Sequence, residues 1–209
     1  MVIAGFDFQR VPVADGVALH VAVGGSGDPI VLLHGFPQTH LMWRHVAREL
    51  ADHHTVICPD LRGYGASDKP ADPAGTAYAK RTMAADVVAL ARALGHERFA
   101  LAGHDRGALV AFRAGLDHPE AVTHLACLDV LPTLDMWDAM HGTSAAGRVL
   151  PMPVTVLQQD WGAALGFDAA ALWRPWAPNL HHQTVGHGHF MAEEAPAEIA
   201  QALRDLLAR

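Results

Sequence analysis

Apolar residues recur along this chain in two rhythms. Residues 8–13 and 17–23 alternate apolar and polar positions on either side of Asp15-Gly16, the signature of two half-buried strands joined by a tight turn. Beyond the glycines at 24, 25 and 27 the rhythm changes. Ile30 to Leu33, Thr55 to Cys58 and Phe99 to Ala102 are short runs, apolar at nearly every position, as expected of strands covered on both faces. Helical spacing fills the intervals. Trp43, Val46, Ala47 and Leu50 share one side of a predicted helix over 40–53, and further helices are predicted over 78–94, 106–117 and 193–208, with Gly95 placed as a C-cap. Strands are also predicted over 124–130, 154–157 and 180–185. Strands alternating with helices imply an α/β fold: a mostly parallel twisted sheet with helices on both faces, in one domain spanning 1–209.

Composition narrows the function classes. The 209 residues are 51% apolar and 18% charged, with a formal net charge of −7. That balance favours a small-molecule substrate and argues against a nucleic-acid partner. Cys58 and Cys127 lie in apolar runs and read as buried reduced thiols. The N-terminal MVIAGFDFQRVPV has no basic start before a long apolar core, and no run reaches the length of a membrane helix. The expectation is therefore a cytoplasmic protein with no membrane partner. The chain has no Walker sequence and no dinucleotide-binding glycine pattern after the first strand. The His53-His54 and His181-His182 pairs lack tetrahedral ligand spacing. Neither a cofactor nor a metal is expected.

The chemistry concentrates where apolar runs end, as it does in open α/β sheets. Gly103-His104-Asp105-Arg106-Gly107 follows one predicted strand and opens a helix. This is the nucleophile-elbow context with Asp in place of Ser, and the glycines allow strand and helix to approach closely. A carboxylate nucleophile at Asp105 suits attack at an sp3 carbon, because displacement there needs no prior proton removal. The alternative reading of Asp105 is a helix N-cap. His34-Gly35-Phe36-Pro37 follows another strand, and the Phe36 and Arg106 N–H groups would form an oxyanion hole. His189, with His187 as alternate, stands in the loop before the last helix, where the base of such a site falls. Asp129 and Asp160 each end a strand, and either could orient the imidazole.

These residues resemble the haloacetate (fluoroacetate) dehalogenases of the α/β-hydrolase superfamily, close relatives of epoxide hydrolases. The resemblance rests on HGFPQTHLMWR (34–44), DLRGYGASDKP (60–70), GHDRG (103–107), LDHPEAV (116–122), LDVLPT (128–133) and GHFMAEEAP (188–196). It implies Asp105 as nucleophile, His189 as base and Asp129 as its acid, leaving Asp160 a spectator. It also implies that Arg106 helps hold a substrate carboxylate, with His34 and Trp137 near the substrate.

Two features depart from that family. Leu109 stands where fluoroacetate-acting members usually carry a second Arg, which moves the expectation toward larger or neutral substrates. Family members also insert a helical cap of several tens of residues after LDVLPT, whereas here 134–153 reads as a short connection. The expectation is a hydrolase core whose cap is deleted or minimal, with dehalogenation weakened and exposed apolar surface available for homo-oligomerisation. Epoxide opening would lack its cap tyrosine acid, because the only tyrosines are Tyr64 and Tyr78. An epoxide or ester hydrolase, or a catalytically idle scaffold, are the alternatives. Trp43, Trp161, Trp173 and Trp176 are read mainly as packing residues, whereas Trp137 borders the missing cap.

Overall fold

The computed structural model describes residues 2–131, 149–160 and 168–209. An eight-stranded sheet organises them, in the order β1-β2-β4-β3-β5-β6-β7-β8. Its strands are β1 (Asp7–Ala14), β2 (Val17–Gly24), β3 (Asp28–Leu33), β4 (His54–Pro59), β5 (Phe99–His104), β6 (Val122–Leu128), β7 (Val154–Gln159) and β8 (Leu180–Val185). The β1–β2 hairpin is antiparallel, and β2 joins β4 antiparallel. Every pairing from β4 through β3, β5, β6 and β7 to β8 is parallel.

The apolar strands are buried on both faces. In β3, Val31 and Leu33 pack on one side of the sheet, beneath α2 (Lys80–Ala93) and α3 (Arg106–Asp117). Ile30 and Leu32 pack on the other, with α1 (Arg44–Leu50) and the C-terminal helix. Alternating side chains serve two cores, which is why this strand carries no polar position between Ile30 and Leu33. No helix among the described residues is long and apolar enough to cross a membrane.

Several elements differ from the sequence reading. The segment expected as one helix over 40–53 begins with a 3-10 turn, His40–Trp43, capped by the Thr39 hydroxyl, before α1 takes over. The last helix is two: α5 (Met191–Glu194) and α6 (Pro196–Leu207). Pro196 disfavours helical backbone at Ala195, which sits at φ −135°, ψ 56°. β6 stops at Leu128 because Asp129 turns to φ 51°. A short helix, α4 (Ala169–Trp173), was not expected. It seats the fully buried Trp173, and both Trp173 and the equally buried Trp176 meet Phe112 edge-on.

The topology fixes where a site can form. From β3 the chain moves outward to β4, then returns to β5 on the other side of β3. The loops leaving β3 and β5 therefore diverge, opening a crevice at the carboxyl ends of the strands. Phe36 follows β3 and Asp105 follows β5.

Candidate active site

Asp105 occupies φ 48°, ψ −116°, between β5 and α3. A non-glycine residue with positive φ away from the left-handed helical basin costs about 1–3 kcal/mol and persists only where its surroundings enforce it. Here three glycines do so. A Cβ at Gly103 would lie 2.6 Å from the Ala108 nitrogen, one at Gly107 2.5 Å from the Leu33 carbonyl oxygen, and one at Gly35 2.7 Å from the Asp105 Cβ. Strand, elbow and helix thus touch at backbone distance, and the carboxylate is pushed up from the sheet.

One oxygen of that carboxylate is held. The Phe36 N–H donates to Asp105 Oδ2 at 2.9 Å. The Arg106 N–H lies in the first turn of α3, where no intrahelical acceptor exists. Oδ2 is thus held by a backbone donor, next to the first turn of α3. The Arg106 guanidinium lies 4.9 Å above the Phe36 ring, which stands half exposed.

The histidine and acid come from distant strands. His189 Nδ1 meets Asp129 Oδ2 at 2.5 Å, and the Asp129 carboxylate is buried. Asp129 also accepts from the Gln159 backbone N–H at 3.3 Å and from Gln159 Nε2 at 2.9 Å. Asp160 is exposed one residue beyond. His187 pairs instead with Glu198 on α6, at 3.2 Å. Of the four candidates, the structure joins His189 with Asp129.

His34, expected near the substrate, is a loop strut instead. It is fully buried, its Nε2 accepts from the Leu61 N–H at 2.9 Å and its Nδ1 donates to the Gly35 carbonyl at 2.9 Å, so both nitrogens are used. Leu109 packs against the α2–α3 core. Trp137, Trp161 and residues 134–148 of the expected connection lie outside the described residues.

Sequence reasoning passed over two residues. His104, inside the elbow motif, is buried against His189 with ring centroids 4.6 Å apart, and its Nε2 donates to the His189 carbonyl at 2.6 Å. Burial holds its pKa down at about 4, so it stays a neutral donor fixing the His189 backbone. The second is Lys80, which opens α2 as Arg106 opens α3, with no acidic residue in either first turn. A cation there opposes the helix dipole, a local mismatch that could have flagged it. Burial lowers the Lys80 pKa, Arg106 lowers it further, and Asp105 pulls it back up.

The family model for the alpha/beta hydrolase fold matches residues 28–167. The chain belongs to this family. Among curated relatives, it is 50% identical over 190 residues to a fluoroacetate dehalogenase of a Burkholderia species, covering 80% of this chain and 62% of that one. It is 40% identical over 160 residues to a soluble epoxide hydrolase of Corynebacterium sp. (strain C12), covering 72% of this chain and 51% of that one. The α/β hydrolase thus spans half to three-fifths of the length of these relatives. Among solved structures, a proposed epoxide hydrolase of Pseudomonas aeruginosa superposes with a TM-score of 0.89 at 30% identity, covering 100% of this chain and 97% of that one.

Proposed function

We propose that this α/β hydrolase cleaves carbon–halogen bonds through an ester on Asp105. The observation that carries the reading is the Asp105 carboxylate itself, raised on a strained elbow with one oxygen on the Phe36 N–H. Likeness to a fluoroacetate dehalogenase supports it.

The chemistry follows from which atoms are free. Asp105 Oδ1 attacks the carbon bearing the halogen, the C–O bond forms as the C–X bond breaks, and halide leaves with the electron pair. Oδ2 becomes the ester carbonyl oxygen, already on its backbone donor. His189 Nε2 then takes a proton from water, and the hydroxide attacks Asp105 Cγ. Negative charge developing on Oδ2 is stabilised by the Phe36 and Arg106 N–H groups. Collapse expels the alkoxide, which takes the imidazolium proton and leaves as the alcohol, and the regenerated carboxyl gives its proton to solvent. Asp129 keeps the Nδ1–H tautomer and stabilises the imidazolium.

In this reading, the short stretch between β6 and β7 leaves the site without a full cap. Water then reaches the reacting carbon and weakens each electrostatic contact there, so turnover is slow. The same opening leaves apolar side chains such as Phe36 and Phe190 exposed for self-association, which sedimentation at several concentrations would reveal.

The test is halide release from chloroacetate and bromoacetate by the wild type and by Asp105→Asn. Release by the wild type alone supports the reading, and equal rates refute it. A single turnover in heavy-oxygen water should label the Asp105 carboxylate. No label and no release would instead favour an idle scaffold.

A further inference from the structure

A cavity of about 370 Å³ lies between the loop after β4 and the starts of α2 and α3, and its lining reaches Phe36 and Arg106, the residue that follows Asp105. Phe36, Tyr64 and Tyr78 give it aromatic walls, Met83 an apolar one, and Lys80 and Arg106 supply its cations. Its size falls within the range of about 300–1,000 Å³ typical of small-molecule sites, far larger than a two-carbon acid needs.

The wall is built rather than incidental. Tyr64 rests edge-on against buried His34, centroids 5.0 Å apart. The Tyr78 hydroxyl donates to the Pro70 carbonyl at 2.8 Å, and a side chain at Gly63 would strike the Tyr78 ring. Behind them, buried Arg62 forks onto Asp86 of α2 at 2.6 and 2.7 Å, tying the loop to the helix.

The two cations are unspent. Among the described residues, neither Lys80 nor Arg106 makes a side-chain hydrogen bond or ion pair, and Arg106 overlies Phe36. Asp105 and Arg106 are also the charged groups that Lys80 senses. The charge count decides what the cavity accepts. Asp105 carries −1 and Arg106 +1, so with Arg106 alone an arriving carboxylate would meet a neutral pair. Lys80 leaves the cluster at +1, enough to hold a second anion against the nucleophile's own charge. Leu109 offers no charge on this side.

We propose that Lys80 and Arg106 together clamp the carboxylate of an acid with a bulky aromatic or branched body, and that the body fills the cavity against Phe36, Tyr64 and Tyr78. The clamp rests on the dehalogenase reading for its catalytic purpose, since it would set the carbon next to the carboxylate at Asp105 Oδ1. The binding itself is independent of turnover.

Phenylacetate tests it, because it has no leaving group. Its affinity for the wild type, for Lys80→Met and for Lys80→Arg is measured by calorimetry or ligand-observed NMR, with neutral phenylacetamide and small acetate as controls. Thermal melting confirms that the variants fold. The expected results are a loss of about tenfold or more in Lys80→Met, as for one charge-assisted contact, recovery in Lys80→Arg, and weak binding of phenylacetamide and acetate throughout. Equal affinity of Lys80→Met and wild type for phenylacetate, or equal binding of acid and amide, overturns the proposal. Binding as expected with no halide release from α-bromophenylacetate, which carries both the bulky body and a leaving group, would sink the dehalogenase reading and leave the acid site standing.

Discussion

Replacing Asp129 by Asn is the sharpest probe of the proposed second half-reaction, because the structure dictates how the amide must sit. Asp129 lies at φ 51°, a conformation Asn adopts readily, so the backbone should not change. The carboxylate meets three donors: the Gln159 backbone N–H at Oδ1, and both Gln159 Nε2 and His189 Nδ1 at Oδ2. An amide has only one oxygen. If that oxygen faces His189, the NH2 group opposes the Gln159 backbone N–H, a fixed donor, at a cost of about 1–3 kcal/mol for the unsatisfied pair. If it faces the backbone N–H, the Gln159 side chain can flip to present its oxygen, and the NH2 group points at His189 Nδ1. The second arrangement wins. It forces the proton of His189 onto Nε2, and the ring can no longer take a proton from water. Ester hydrolysis should then slow by about 10⁴-fold, the scale of the corresponding exchange in a Ser-His-Asp triad. Attack on the carbon–halogen bond needs no proton transfer and should persist. Rapid-quench halide measurement with bromoacetate should show a burst near one equivalent per protein and then a stall, with the ester adduct visible in the intact mass. Steady turnover within a few-fold of wild type would refute the argument, as would a burst that disappears while the protein remains folded.

Other positions yield independent tests. Gly107→Ala should lower stability by about 1–3 kcal/mol in urea unfolding, because its Cβ would overlap the β3 backbone; a loss below about 0.5 kcal/mol would mean the elbow relaxes freely. Arg62→Met strands the buried Asp86 carboxylate and should cost about 3–5 kcal/mol at neutral pH. Burial already holds the Asp86 pKa above its ordinary value despite Arg62, so protonation should relieve part of that loss toward pH 4; an unchanged loss would argue against it. Burial opposes ionisation of Asp60 too, but hydrogen bonds from His40 and Ala66 outweigh it and hold its pKa well below the ordinary 3.8. A depressed carboxyl stabilises above its unfolded pKa, and that contribution fades as pH falls below about 3.8. Asp60→Asn should therefore be less stable than wild type at pH 6, with the gap narrowing toward pH 2 in urea titrations.

The fold was legible because its strands are buried on both faces. Ile30 to Leu33 and Phe99 to Ala102 can be apolar at every position only where helices cover both sides of the sheet, and α3 was predicted over the very residues it occupies. Boundaries were less legible where a single backbone angle sets them. Asp129 ends β6 two residues early, and the break at Ala195 depends on the residue that follows it. The elbow was readable for a local reason: the glycines at 103 and 107 record a backbone contact that no other residue permits.

Taken alone, the sequence determined the alternation of strands and helices, the carboxylate on its glycine-flanked turn, and the loops in which partner residues had to be sought. Those are properties of neighbours along the chain, where steric limits and apolar periodicity act over a few residues. The periodicity left His187 beside His189 and Asp160 beside Asp129, and the family resemblance favoured His189 and Asp129; only the tertiary structure joined that pair by a hydrogen bond, spent both nitrogens of His34 on the loop, and brought Lys80 beside Arg106. Each of those outcomes depends on a distance between residues far apart in the chain, set by the strand order at the crevice between β3 and β5.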